Sequence, residues 1–328
     1  MGEILSETRR ILEISGTYYV SLPRAWIRFH KLKKGDKVFI NMTEDGSLEI
    51  SPKEVKELEK IRNIEILLDD YIDRRILAAY LSGYDIIEAT TYGKIVDEHR
   101  RKIEEISSKL IGLEIVEETQ NKVVLQCFSK GVVDVWSIIR RMGDVAKSMH
   151  SDAIIALIRN DTELARSISK RDDNVDRLYF FAVRIIRSSL SSLRKLLKDK
   201  KLTAVELLDY RLLAKAIEQI ADHGEKLAEI VIKILERGII LPENIKDDLL
   251  NISKNLGKAQ NKVLNAYKSK NLIEAVEVVK DVHSIYDKLG NIESSFKRRL
   301  YEEALLIELI DQLRGIARII EDMGDLVF

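Results

Sequence analysis

The sequence predicts a multidomain, mainly α-helical protein in three parts: a small β-rich module, a compact α/β unit, and a bundle of two three-helix repeats. Three observations carry this. Before residue 54, apolar and polar residues alternate at period two; over residues 60–130, strand and helix patterns alternate; from Gly131 to the end, apolar residues recur at period 3.6. The chain has only three prolines, the last at Pro242, which leaves its second half free for long helices.

In the first 54 residues, RRILEI, TYYVSLP, KVFINM and LEISP read as four short strands. Ser15-Gly16, Lys34-Gly35-Asp36 and Glu44-Asp45-Gly46 supply turns, and Pro23 opens a brief helix, RAWIRFHKL. So short a module buries too little apolar surface alone and is expected to pair with a copy of itself or dock elsewhere. Between Thr8 and Lys37, eight basic residues stand against Glu13 and Asp36. Arg9, Arg10, Arg24, Arg28, Lys31, Lys33 and Lys34 form this basic set with Lys37, interleaved with Tyr18, Tyr19, Trp26 and Phe29. Such a pattern suits contact with a phosphate backbone, and equally a solvated basic face.

Pro52 and the charged KEVKELEKIRN read as a helical connector into residues 60–130. There NIEILL, DIIEATT, GLEIVEET and KVVLQCFS read as strands, while DRRILAAYLSGY and GKIVDEHRRKIEEISSKLI read as helices, giving one sheet covered by two helices. No Gly-rich phosphate loop follows a strand.

Residues 131–238 form a first three-helix repeat, with one helix ending near Asn160-Asp161, a second capped by Thr162, and a third stopped by Gly238. Residues 241–328 repeat the order. Matching Asp176-Arg177-Leu178 to Asp287-Lys288-Leu289 aligns the repeats at an offset of 111, and matching Glu218 and Asp222 to Glu321 and Asp325 gives 103. Each of these last pairs places two carboxylates one turn apart on a helix face, as does the pair Asp172 and Asp176. Like charges so placed repel, and a multivalent cation held by several oxygens is one physical reason to keep them; a solvated face beside Arg177, Lys226 or Arg318 is the other. His99 and His150 read as surface residues, Cys127 as a buried one, and the Met142-Gly143 and Met323-Gly324 steps as points of close helix packing.

Composition narrows the function classes. Lys plus Arg and Asp plus Glu both number 54, so nucleic-acid binding would rest on a local patch. One cysteine rules out an internal disulfide framework, and no run reaches the length and apolarity of a membrane span, which together predict a cytoplasmic protein. No Ser/His/Asp set, cysteine nucleophile with a base, or Glu-x-x-His di-iron spacing is present, so no catalytic residue is assigned and an enzyme is not expected.

Two resemblances sharpen these readings. The stretch from Arg9 to Ile50, with Gly16, Pro23, Gly35 and Asp36 in matching places, resembles the SpoVT/AbrB (MazE-like) swapped-hairpin family. That resemblance implies an intertwined homodimer and DNA contact through Arg9, Arg10, Arg24 and Arg28, although related domains also serve only to dimerise. MGDVAKSMHSDAIIALIRNDTELARSISKRDDNVDRL, IEQIADHGEKLAEI and ARIIEDMGDLV resemble the PhoU family, and the order of the three parts is similar to that of archaeal phosphate-uptake regulators. The resemblance implies metal clusters on the acidic pairs, one site from Asp172, Asp176, Glu218 and Asp222 and another from His283, Asp287, Glu321 and Asp325. His283 stands where an acid is expected and would favour iron, zinc or nickel over magnesium. The implied function is a metal-binding regulator of phosphate uptake that acts on transcription through duplex DNA. The alternative is an accessory protein that dimerises through its N-terminal domain and restrains a phosphate-transporter subunit or sensor kinase by direct contact.

Overall fold

The computed structural model describes residues 7–42, 46–52, 61–129, 134–191, 202–296 and 302–327, in two compact units, Met1–Lys60 and Ile61–Phe328. The predicted charged connector lies largely outside the described residues.

In the first unit, β1 (Leu12–Ile14) and β2 (Thr17–Tyr19) form an antiparallel hairpin across Ser15 and Gly16, both at positive φ. Two such residues in a two-residue loop give the turn whose twist matches the strands it joins. Helix α1 (Arg24–Phe29) follows Pro23, and β3 (Phe39–Met42) pairs with β4 (Leu48–Ser51). The two hairpins form separate two-stranded sheets. Among the described residues of this unit no apolar side chain is buried, and Ile11, Tyr18, Phe29 and Met42 are each more than 70% exposed.

The second unit opens with β5 (Asn63–Leu67), α2 (Ile72–Leu81), β6 (Ile86–Thr90), α3 (Asp97–Lys109), β7 (Leu113–Glu118) and β8 (Lys122–Cys127). The sheet order is β5-β6-β8-β7, with β5 parallel to β6 and the rest antiparallel. Ile66, Ile87, Leu113 and Leu125 form a core with Ile72, Ile76, Tyr80 and Ile103 of the two helices, and Cys127 is buried among them.

The bundle consists of α4 (Val135–Arg159), α5 (Thr162–Arg166), α6 (Ser169–Ser191), α7 (Ala204–Glu236), α8 (Glu243–Ser269), α9 (Leu272–Phe296), α10 (Glu302–Gly324) and a 3-10 turn, Asp325–Val327. The expected second helix is thus broken at Ser167 and Ile168. Its cap is Asp161, not Thr162: Oδ1 accepts from the Leu164 amide at 2.9 Å. Thr203 and Glu206 close a reciprocal capping box on α7. Gly238, at φ +65°, supplies the left-handed residue that ends it.

The α/β unit is docked on α6. Arg184, almost wholly buried, donates to Tyr80 O (2.6 Å), lies over the Tyr80 ring and faces Asp85 at 3.6 Å. Phe180 packs against both cores, and a Cβ on Gly83 would stand 2.6 Å from Ser188 Oγ.

The repeats are real, in a register one residue from the one expected. Asn160 and Lys270, 110 positions apart, both end a helix in the left-handed region, and the next residues, Asp161 and Asn271, each donate to the residue five back at 2.9 Å. At this offset the buried Val135, Ile139, Met142, Ala146, Met149, Ala153 and Leu157 of α4 match the buried Ile245, Leu249, Ile252, Leu256, Ala259, Val263 and Tyr267 of α8. The offset persists into the second helix, where Ala165, Ile168, Val175, Tyr179 and Ala182 match Ala275, Val278, Ile285, Leu289 and Ile292. Only the third helix shifts to 103, because the stretch of sequence between the second and third helices is seven residues shorter in the second repeat.

His150 corrects the surface reading. It is fully buried and, at the 110 offset, is the counterpart of Gln260, to which it bonds. The two equivalent residues thus meet where α4 packs on α8. Nε2 of His150 donates to Gln260 Oε1 (3.3 Å), Gln260 Nε2 donates to Gly143 O (2.8 Å), and His150 Nδ1 has no partner among the described residues. His99 is part-buried, 3.8 Å from Asp70. Gly143 makes the expected close approach, to Leu264; a Cβ added at Gly324 would meet nothing within 4 Å.

Candidate functional site

Asp172 and Asp176 lie one turn apart on α6, half-buried, against Glu218 and Asp222 on α7. Burial and the neighbouring carboxylates, Glu225 first among them, push Asp172 up to about 7. Asp176 is pushed up to about 6 by burial, Glu218 and Asp222, with Lys109 at the end of α3 opposing. Glu218 is also raised by burial, although the Lys215 ammonium bonds to it. The predicted first set is therefore one electrostatic cluster, short of positive charge. Glu225 is a member that sequence reasoning missed; its spacing of seven from Glu218 and three from Asp222 puts it on the same helix face.

A hard cation suits four to five carboxylates in chemistry and charge. In side-chain position, no three His, Cys, Asp or Glu among the described residues gather as closely as one ion requires. The acidic side chains would have to turn inward, and Lys215 to release Glu218.

The second predicted set does not come together in this way. In the observed register the counterparts of Asp172 and Asp176 are Val282, fully buried, and Tyr286, not His283 and Asp287. Tyr286 donates to Glu321 Oε2 (3.1 Å), and His283 Nε2 stands 3.2 Å from Glu321 Oε1. Burial, then Glu321, push the Tyr286 phenol up to about 12. Asp287 is exposed, and Asp325 is exposed in the 3-10 turn that directly follows α10.

Between α7 and α10 a groove of about 440 Å³ is lined by Asp222, His223, Lys226, Gly315, Arg318 and Asp322, among others. His223 Nδ1 donates to Gln312 Oε1 (2.7 Å), and its ring fills the space that a side chain at Gly315 would need. His223 is thus committed to the helix crossing.

In the first unit, Arg9, Arg10, Arg24, Arg28, Lys31, Lys33 and Lys34 are all exposed. Arg24 and Arg28 share α1, and Lys31 sits at positive φ just beyond it. Arg9 is paired with Glu7.

The architecture defines a class: a duplicated three-helix bundle with an acidic cluster on one repeat, preceded by an α/β unit and a basic hairpin module. Residues 139–231 match the PhoU domain, and residues 11–57 match the bacterial antitoxin MazE, described as antidote-toxin recognition. The chain therefore carries a PhoU domain behind an N-terminal MazE/AbrB-like domain. It is 26% identical over 215 residues to the phosphate-specific transport system accessory protein PhoU homolog of Clostridium acetobutylicum, covering 60% of this chain and 88% of that protein. To the homolog of the same name in Pseudomonas putida it is 26% identical over 143 residues, 41% of this chain and 52% of that one. The chain thus spans about half the length of that relative. The crystal structure of PhoU from Pseudomonas aeruginosa covers 59% of this chain and 93% of that one, at 19% identity and a TM-score of 0.46. Among the described residues no helix is long and apolar enough to cross a membrane.

Proposed function

We propose that this chain is a non-catalytic, cytoplasmic regulator of phosphate uptake that couples a cation-responsive PhoU bundle to duplex DNA through a dimeric N-terminal unit. The observation that carries it is the pairing, in one chain, of a PhoU domain with a MazE-like unit whose described basic side chains are all turned to solvent. Dimerisation is supported by the absence of buried apolar side chains among that unit's described residues: Ile11, Leu12, Ile14, Tyr18 and Ile40 need a cover, and a second copy of the same hairpins supplies one. Cation binding is supported by the raised, under-compensated carboxylates Asp172, Asp176 and Glu218, with Asp222 beside them. A multivalent ion there, magnesium or a transition metal, would supply the missing positive charge and tie α6 to α7.

A second reading is that the chain restrains a transporter or sensor kinase by contact. It is favoured by Val205, Leu208 and Leu212, exposed at helical spacing along α7.

Titration of the chain onto promoter DNA of phosphate-transport genes at two salt concentrations separates the two. On the first reading, affinity falls steeply with salt, and Arg24→Ala with Arg28→Ala weakens it at least about tenfold across sequences. No binding at low salt, with retention on immobilised transporter subunits, would leave the second reading standing and sink the first.

A further inference from the structure

We infer that the two repeats are chemically unequal: only the first can cradle a multivalent cation, and in the second Tyr286 and His283 hold Glu321 in the place of an ion. The inference rests on the cation reading of the first repeat proposed above.

Register comes first. The 110 offset is fixed by buried residues along two helices of each repeat and by the paired left-handed caps Asn160 and Lys270. It puts Val282 where the first repeat has Asp172, and Tyr286 where it has Asp176. The third helices keep their own match: Ile217, Ile220, Ala221 and Gly224 correspond to Ile320, Met323, Gly324 and Val327, all buried, so Glu321 is the true counterpart of Glu218. In the first repeat Glu218 repels Asp176, whereas in the second Tyr286 meets Glu321 as a hydrogen-bond donor at 3.1 Å.

The donor set then decides the chemistry. Of four carboxylates in the first repeat, the second keeps Glu321 at the helix contact; Asp325, the counterpart of Asp222, stands exposed in the 3-10 turn. Both oxygens of Glu321 are engaged, Oε2 by Tyr286 and Oε1 by His283. A divalent cation with six or more oxygen ligands finds one carboxylate at the helix contact, already bonded, and next to it only the exposed Asp322. A phenol and an imidazole link α9 to α10 at Glu321, while the junction of α6 and α7 is left open to an ion. Cation loading would therefore be felt in one half of the bundle.

The test is Mn²⁺ binding to the full chain after chelator treatment, read by electron paramagnetic resonance and by anomalous difference maps from Mn²⁺-soaked crystals. Glu321→Gln is expected to leave the stoichiometry unchanged, and Glu218→Gln with Asp222→Asn to reduce it to background. Val282→Asp with Tyr286→Asp, which restores the missing acids, is expected to raise it. An anomalous peak at Glu321 of the unaltered chain, or loss of Mn²⁺ in Glu321→Gln, overturns the inference while leaving the first-repeat reading intact. No Mn²⁺ at either repeat sinks both.

Discussion

His150 shows what a single buried side chain costs and what it does. With Nδ1 unpartnered, its protonation inside the bundle is opposed by burial, which holds it down to about 4, and the Gln260 bond offsets little of this. The native state stays neutral while the unfolded chain gains a proton below its ordinary value near 6.5. Stability from this group is thus complete above about 6.5 and is lost as pH falls toward 4, by about 2 kcal/mol at pH 5. His150→Gln places an amide opposite Gln260 and removes the titration, so its melting temperature should fall less than the parent's between pH 7 and pH 5. Equal losses would contradict this account. The position was legible: Met142, Ala146, Met149 and Ala153 mark the buried stripe on which His150 falls, and residue type alone had suggested a surface site. Glu225 was legible in the same way. The pairing of His150 with Gln260 was not, because nothing in a linear pattern says which equivalent residues meet.

At the scale of the element, the pair α6 and α7 carries the acidic cluster, and its pH dependence has the opposite sign. Burial and mutual repulsion raise Asp172 and Asp176, so the native chain binds more protons than the unfolded one between about pH 4 and 7. This contribution favours the fold at acid pH and weakens it as pH rises through that window. Asp172→Asn with Asp176→Asn should therefore raise the melting temperature at pH 7.5 by several degrees and hardly change it at pH 4.5. A divalent ion should stabilise the parent at pH 7.5 and not the variant. Destabilisation of the variant at pH 7.5 without metal would refute the repulsion. All four strands of the first unit, the α/β order and six long helices could be read from periodicity, because burial of one face fixes spacing. The register of the second repeat could not. The likeness of Asp-Arg-Leu to Asp-Lys-Leu drew the alignment one residue too far, while the buried Val278, Val282, Ile285 and Leu289 carried the physical frame.

For the whole molecule, the interior seam matters more than the covalent joint. The halves of the bundle meet through α4 on α8 and α7 on α10, with His150, Gln260, Gly143 and Leu264 at one crossing and His223, Gln312 and Gly315 at the other. The strand of backbone that links them, from Gly238 to Leu241, is short, and Ile240 is 88% exposed. A protease admitted at Ile240 would cut one peptide bond and release no surface. Two fragments should appear on a denaturing gel while the nicked particle still elutes at its original volume. Separation into free halves would mean that this shared interior is not what keeps them together.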